Sequence, residues 1–390
     1  MDKNLTFLAK TLYGFEPLLA KELQELGARE IKMGNRMVSF QGDLGFLYKA
    51  NLTLRTALKI LMPIHRFAAA DDNMLYQAVY RFPWEQYLNA RQTFAIDSVV
   101  MGKFFTHSLY VSQKTKDAIV DRFRKQNGQR PSVDTHRPDL RVHLHIHDRQ
   151  VTISIDSSGA SLHKRGYRTA TNIAPINEVL AAGLLLHSGW KGQSDFCDPM
   201  CGSGTFLIEA AMIAAHIPAN INRDEFAFER WNNWDPDLFE TIRQGLLKRV
   251  TAPEIQIYGS DKAPSAVRKA QENILQANLE EFVSVSRMDF FRTQKQTVGP
   301  LHMVTNPPYG ERLAGDIKEL YQKLGDTLKT NYPDTAAWLI TSNLEAVKAI
   351  GLRPSRKIKA FNGKLESLLL YFPMYAGTKK IHKQVSKNEQ

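Results

Sequence analysis

Two segments of the chain hold residue types suited to chemistry. In DFCDPMCGSGTFLIEAAMIAA (195–215), a short apolar strand ends at Asp198, and a tight loop, Cys201, Gly202, Ser203, Gly204 and Thr205, opens a helix. Glycines let a backbone approach a ligand closely, and a helix start offers N–H groups with no partner of their own. A nicotinamide-dinucleotide loop needs a third glycine where Leu207 stands, and a P-loop needs a Gly-Lys-Ser/Thr ending that this loop lacks. In HMVTNPPYGERL (302–313), an apolar strand runs into Asn306, Pro307, Pro308 and Tyr309. Two prolines deny the strand further ladder bonds and stiffen the loop. The Asn306 side-chain oxygen and the Pro307 carbonyl are acceptors able to hold an amine by its N–H bonds, and Tyr309 can stack on a flat ring.

Two further candidates lie between these segments. In QIYGSDKAPSAVRKAQEN (256–273), a strand ends at Ser260 and Asp261 before a helix opening at Pro264. A carboxylate there can reach a ribose hydroxyl pair, although an Asp after a strand is often only a helix cap. At Met288, Asp289 and Phe290, the carboxylate can accept from an adenine amine with an apolar neighbour against the ring. A capping loop is the plain alternative. Each of the four segments follows a successive predicted strand, so all four converge on one edge of one sheet.

Other reactive side chains have plainer explanations. Cys201 reads as a small loop residue rather than a nucleophile, and the loop at 306–309 has no thiol. His143, His145 and His147 alternate on one predicted strand, which fits a solvated or RNA-facing edge better than a metal site, so no metal is expected.

The elements that must position these residues follow from hydrophobic periodicity. Segments 5–10, 31–33, 37–41 and 57–67 read as strands, and a helix over 16–26 and another over 43–51 complete a ferredoxin-like order. A second unit starts near Asp71 and Asp72. It has a helix at 73–79, strands at 93–100, 141–147 and 150–156, and a basic helix at 108–125 with Leu109, Ala118, Ile119 and Phe123 towards a core. From Ser157 to about residue 376, strand-like and helix-like runs alternate, which predicts a doubly wound α/β domain. Residues 218–253 look like an insertion, with Phe226, Phe228, Trp231 and Trp234 serving local packing. The tail after 380 is basic and polar.

Composition narrows the class. The 390 residues suit two or three domains, and the formal net charge is +11. Residues 101–170 hold 13 Lys/Arg against 6 Asp/Glu, so seven of those charges concentrate in under a fifth of the chain. Such a local field favours a phosphate backbone over simple solubility. Two cysteines, Cys197 and Cys201, cannot staple a secreted fold. The start of the chain has no apolar signal core, and no apolar run reaches about 18 residues. A reducing cytoplasmic setting, with no membrane partner, is expected.

The glycine loop resembles the first motif of class I S-adenosylmethionine-dependent methyltransferases, and Asn306 to Tyr309 resembles the Asn/Asp-Pro-Pro-Tyr/Phe motif of amino-methyltransferases. Taken whole, the chain resembles the THUMP-domain guanine-N2 RNA methyltransferases, with LHKRGYRTATNIAPINEVLAAGLL (162–185) similar to the family's lead-in and NGKLESLLLYF (362–372) similar to its terminal hairpin. Asn177 stands where a basic residue is expected. The resemblance implies a ferredoxin-like domain over 1–68, a THUMP α/β domain over 69–160, and a catalytic domain over 161–380. That last domain would be Rossmann-like with a mostly parallel seven-stranded sheet, and a basic tail would occupy 381–390.

The resemblance also implies roles. Asp198, Cys201, Gly202, Ser203, Gly204 and Thr205 would line the methionine part of S-adenosylmethionine. Ser260 and Asp261 would serve the ribose, Met288, Asp289 and Phe290 the adenine, and Asn306 to Tyr309 the target amine. RNA would meet Lys103, Lys114, Lys116, Arg122, Arg124, Lys125, Arg137, Arg165 and Arg168. The implied substrate is 23S ribosomal RNA or a ribosomal precursor. Transfer RNA, DNA adenine N6, and a non-enzymatic RNA-binding assembly factor are the alternatives. Some relatives are fused two-enzyme chains; this one shows one catalytic domain, so one activity is expected.

The chemistry accounts for the residue types. The lone pair of an exocyclic base nitrogen is delocalised into the ring, which makes it a poor nucleophile. Two acceptors on its N–H bonds hold it towards a tetrahedral shape, so positioning and local dipoles supply most of the catalysis.

Overall fold

A computed structural model describes residues 4–168, 176–308, 317–363 and 365–375. The chain folds as two compact units that interleave in sequence. The first takes residues up to Thr11, Leu19–Leu162 and Arg223–Gly245; the second takes Leu12–Leu18, His163–Asn222 and the chain from Leu246 onward.

The first unit is built on β1 (Leu5–Thr11), β2 (Arg29–Gly34), β3 (Met37–Gly42), β4 (Ala57–Ala68), β5 (Thr93–Met101), β6 (Ser132–Val133), β7 (Leu140–His147) and β8 (Gln150–Asp156). They form one sheet in the order β2-β3-β1-β4-β8-β7-β5-β6. The ferredoxin-like order is present over β1 to β4, but the sheet does not stop there. The first half of β4 pairs with β1 and its second half with β8, and Leu61 pairs with both. Pro63 is tolerated because the β4–β8 register shifts between Pro63 and His65. Asp43 and Asp71 cap the helices Leu44–Thr53 and Asp72–Arg81 by accepting from Phe46 N–H at 2.6 Å and Met74 N–H at 2.8 Å. The basic helix Ser108–Asn127 ends at Gly128, which has φ +66°. Ala118, Ile119 and Phe123 face the core as expected, whereas Leu109 is 72% exposed and Val111, two positions on in the same turn, takes the inward place.

Residues 223–245 belong to this first unit, not to the domain whose strands flank them in sequence. Phe228 and Trp234 pack on Tyr48 with ring centroids 4.6 and 5.1 Å apart, and Phe226 stacks on Phe228 at 5.1 Å. These aromatics are a packed cluster, as their sequence suggested. Arg223 adds hydrogen bonds to the Ser158, Ala160 and Ser161 carbonyls.

The second unit holds β9 (Asp195–Asp198), β10 (Ile257–Asp261), β11 (Val283–Arg287), β12 (Leu301–Thr305), β13 (Thr335–Thr341), β14 (Arg356–Asn362) and β15 (Leu365–Met374), in the order β11-β10-β9-β12-β13-β15-β14. The first five are parallel, and β15 runs antiparallel to both β13 and β14. The expected doubly wound sheet is therefore observed. β12 is buried along its whole length, as a strand covered on both faces must be. The helices Glu178–His187 and Thr205–Ala214 are buried almost all round and form the core with Trp190, Phe196 and Ile257. At about 1.5–3 kcal/mol per fully buried large apolar side chain, this layer anchors the strands beneath the candidate site. Gly259 permits the close approach of β10 to the next layer. A Cβ there would lie 2.5 Å from Leu207 Cδ1 and 3.0 Å from the Asp198 carbonyl oxygen.

Candidate active site

β9 and β12 are hydrogen-bonded neighbours, with Met303 opposite Cys197. The chain winds outward from β9 through β10 to β11 on one side, and from β12 to β13 on the other. A parallel sheet opens a crevice where its winding direction reverses, and β9 and β12 flank that point. The glycine loop after Asp198 and the proline loop after Thr305 thus leave the same edge of two adjacent strands, about 5 Å apart.

The glycine loop is tied down from several directions. Cys201 N–H donates to the Ser260 carbonyl at 2.9 Å, and Gly204 N–H to the Cys201 carbonyl at 2.8 Å. Asn273 Nδ2 donates to the Ser203 carbonyl at 3.0 Å. Gly202 and Gly204 have φ of +56° and +82°, a region that disfavours side chains. A Cβ on Gly204 would also stand 3.2 Å from the Ala270 Cβ. Asp261 stabilises this turn: one carboxylate oxygen accepts from Gly202 N–H at 3.1 Å, the other from Ala263 N–H at 2.9 Å. Asp261 is not the cap of the helix Pro264–Gln276, whose N-cap is Ala263 with no side-chain cap hydrogen bond; its carboxylate tightens the turn before that helix and sits against the glycine loop.

Asp198 is 2% exposed and accepts from Met200 N–H at 3.2 Å. Burial, reinforced by the Asp261 charge, pushes its carboxyl up to about 7. Burial also raises the Cys201 thiol well above its ordinary value, with Asp198 and Asp261 adding to the effect. A thiol held neutral is no nucleophile, in keeping with the sequence reading.

Asn306 directly follows β12, with its Oδ1 atom buried and without a hydrogen-bond partner among the described residues. Pro307 is buried and Pro308 exposed, while Tyr309 lies outside the described residues. Asp289 accepts from Phe291 N–H at 3.2 Å as the cap of a short turn, so the capping reading holds for Asp289. Met288 is 39% exposed and remains open to a ligand. Phe290 is corrected: it is 3% exposed and packs on Phe291 and Tyr332, so its ring serves the core and not an adenine.

Three family models match the chain: an RMKL-like methyltransferase domain over residues 165–370, a THUMP domain over 69–156, and an RlmL ferredoxin-like domain over 6–61. The chain belongs to the RMKL-like methyltransferase family. Within this family it is 40% identical over 387 residues to Ribosomal RNA large subunit methyltransferase K/L of Syntrophotalea carbinolica, covering 95% of this chain and 54% of that protein. The chain spans about half the length of the curated relatives it matches. Among solved structures, SMU.472, a methyltransferase complexed with SAH (S-adenosylhomocysteine), superposes with a TM-score of 0.86 at 30% identity, covering 97% of this chain and all of that one. A predicted N6-adenine-specific DNA methylase from Listeria monocytogenes superposes with a TM-score of 0.85 at 29% identity, over 95% of this chain and 97% of that one. The cofactor of this RMKL-like chain is S-adenosylmethionine, and the left-handed, Cβ-free turn at Gly202 and Gly204 beside an acidic residue on the next strand suits it.

The basic residues divide. Arg165 is corrected: it is fully buried in the second unit, with Nε 3.2 Å from Glu209 Oε1 and Nη1 3.2 Å from Asn220 Oδ1. Arg168 is corrected as well, because its guanidinium is turned inward onto Glu178, the Ile176 carbonyl and Thr205. Arg122 clamps Glu85 and the carbonyls of Tyr80 and Arg81, a structural use of its fork. Arg137 pairs with Glu225 but stays 72% exposed. Lys103, Arg124 and Lys125 are exposed, and Lys116 is paired with Asp117. Lys114 lies 5.3 Å over the Tyr76 ring.

His143 is not a solvated edge residue; burial and the Lys10 charge bring it down to about 4, so it is neutral at ordinary pH. No cluster of three metal-ligating side chains occurs among the described residues. No helix among them is long and apolar enough to cross a membrane. Sequence reading missed Glu178 and Glu209, because nothing in a lone acidic residue on an apolar helix announces a buried arginine partner.

Proposed function

We propose that the protein is a cytoplasmic enzyme that methylates the exocyclic N2 amine of a guanine in large-subunit ribosomal RNA. The observation that carries this reading is the orphan acceptor on Asn306, one strand away from the glycine loop. A buried acceptor without a donor costs about 1–3 kcal/mol. An amine presented to Asn306 Oδ1 and the Pro307 carbonyl would supply the missing N–H groups and have its lone pair turned outward. S-adenosylmethionine supplies an electrophilic methyl group on a sulfonium. The loop amides at 202–204, Asp261 and Met288 would hold it, and Asp198 would add a carboxylate beneath the loop. Tyr309 would stack on the extruded base. The transferred group leaves a cationic nitrogen that loses its proton readily to solvent, so no strong base is required.

Ribosomal RNA is favoured by the names of the relatives and by the THUMP match over 69–156. Lys103, Lys114, Lys116, Arg124, Lys125 and Arg137 would supply the phosphate contacts. The name of the Listeria relative favours a second reading, adenine N6 in DNA, which would use the same loop. The test is methyl incorporation into purified ribosomal RNA, transfer RNA and duplex DNA, with the product nucleoside identified by mass spectrometry. N2-methylguanosine from large-subunit RNA is expected; label found only in DNA adenine would overturn the proposal.

A further inference from the structure

The hairpin of β14 and β15 rises past the level at which β12 ends. β14 runs parallel to β12 and β13, because β15 is antiparallel to both β13 and β14. It therefore ends at the same edge of the sheet as the proline loop. The register gives the height. Thr305 pairs with Leu339, Leu339 with Leu370, and Leu370 with Lys357, so Lys357 stands level with the residue before Asn306. Three strand spacings separate them, roughly 14 Å. Lys359 and Phe361 follow on the same face of β14 and carry the hairpin about 13 Å past that level.

The residue types on this projection are not those of a plain sheet edge. Residues 351–362 hold Arg353, Arg356, Lys357 and Lys359 and no acidic residue. Lysines guard an exposed edge against other strands, and that need alone would account for the charges. It does not account for the rings. Tyr13 is 53% exposed and meets Phe361 edge-on, with ring centroids 5.7 Å apart and planes at 85°. Lys359 Nζ lies 5.3 Å over the Phe361 ring and 2.9 Å from Glu366 Oε2. A Cβ on Gly14 would lie 3.9 Å from the Lys359 carbonyl oxygen, so the segment that carries Tyr13 is seated against β14. A ring standing in solvent among cations is the pattern that stacks a base and tracks a phosphate backbone. Bases within a duplex hide their faces from such a ring, so the fit is to a single strand.

We propose that Tyr13 and the β14–β15 hairpin form a holding surface for single-stranded RNA on the second unit, gripping the strand within a few nucleotides of the extruded guanine. This rests on the reading that Asn306 receives a base from RNA. One base stacks on Tyr13, and Lys357 and Lys359 meet the phosphates between that base and the target. Extrusion costs the target its stacking neighbours, and a nearby base held on a ring offsets part of that loss.

The test uses the full chain and purified large-subunit ribosomal RNA. Tyr13→Ala should raise the KM for RNA by about five- to a hundredfold, the effect of losing one stacked base, whereas Tyr13→Phe, which keeps the ring, should stay within about twofold of the wild type. Lys357→Gln combined with Lys359→Gln should lower the log–log salt slope of RNA binding by about 1.4, at about 0.7 per contact to a single strand. All three side chains are exposed, so the variants should melt with the wild type and keep its S-adenosylhomocysteine affinity. Ultraviolet cross-linking should join the peptide that carries Tyr13 to a nucleotide close to the methylated guanine. A wild-type KM in Tyr13→Ala, or a wild-type salt slope in the lysine variant, overturns the inference. A wild type that methylates no RNA overturns the reading beneath it, which is a different result.

Discussion

Asp198→Asn is a perturbation whose size and sign follow from the site. Burial holds the Asp198 carboxyl up at about 7, against an ordinary value of 3.8. The difference of about three units corresponds to roughly 4 kcal/mol, at 1.36 kcal/mol per unit. The sign is fixed by which state keeps the proton. The unfolded chain releases it near pH 4 and the folded protein holds it to about pH 7, so the native state is favoured at low pH. That advantage drains away as pH rises through the window and is gone above about pH 7. Asparagine cannot ionise, and its oxygen can still accept from Met200 N–H. Its amide donors need new partners, which adds a penalty of about 1–3 kcal/mol that does not depend on pH. The readout is therefore the slope. Urea unfolding of wild type and variant is to be compared between about pH 4 and about pH 8. The variant should gain on the wild type by up to about 4 kcal/mol across that range. Parallel stability curves would refute the assignment of a proton to this buried carboxyl.

Three other outcomes are expected. Gly204→Ala places a Cβ 3.2 Å from Ala270 in a backbone with φ +82°, so it should cost about 1–3 kcal/mol and weaken S-adenosylhomocysteine binding, checked by melting and calorimetry. Arg165→Met strands the buried Glu209 carboxylate and should cost about 3–5 kcal/mol, while adding Glu209→Leu should recover most of it; denaturation of the single and double variants measures both. Replacing Lys103, Lys114 and Lys125 by alanine should weaken RNA binding and flatten its salt dependence by up to about three in log–log slope; an unchanged slope in filter binding would remove them from the interface.

Much of this was legible in the sequence because hydrophobic period reports local structure well. The strands after which Asp198, Asp261, Asp289 and Asn306 stand were visible, and their convergence on one edge follows from parallel winding alone. What escaped was long-range. β4 reads as the end of one unit, yet it is long enough to pair with β1 at one end and β8 at the other. Residues 223–245 sit in sequence between β9 and β10, but their aromatic surface is satisfied by Tyr48. Arg165 and Arg168 counted as surface charge because sequence gives charge without burial, and nothing in it pairs Arg165 with Glu209, 44 residues on, or Arg168 with Glu178, 10 residues on. Phe290 looked suited to an adenine because an aromatic beside a strand end has two faces to choose from, and here packing on Tyr332 took it.

The measurement that bears most directly on the account pairs two readouts on Asn306→Ala. One is S-adenosylhomocysteine affinity by calorimetry, and the other is methyl transfer to large-subunit ribosomal RNA under saturating S-adenosylmethionine. Removing the orphan acceptor should leave affinity within about twofold while transfer falls by two orders of magnitude or more, as loss of a positioning dipole does. Transfer retained at wild-type rate, or lost only in step with cofactor affinity, would contradict it.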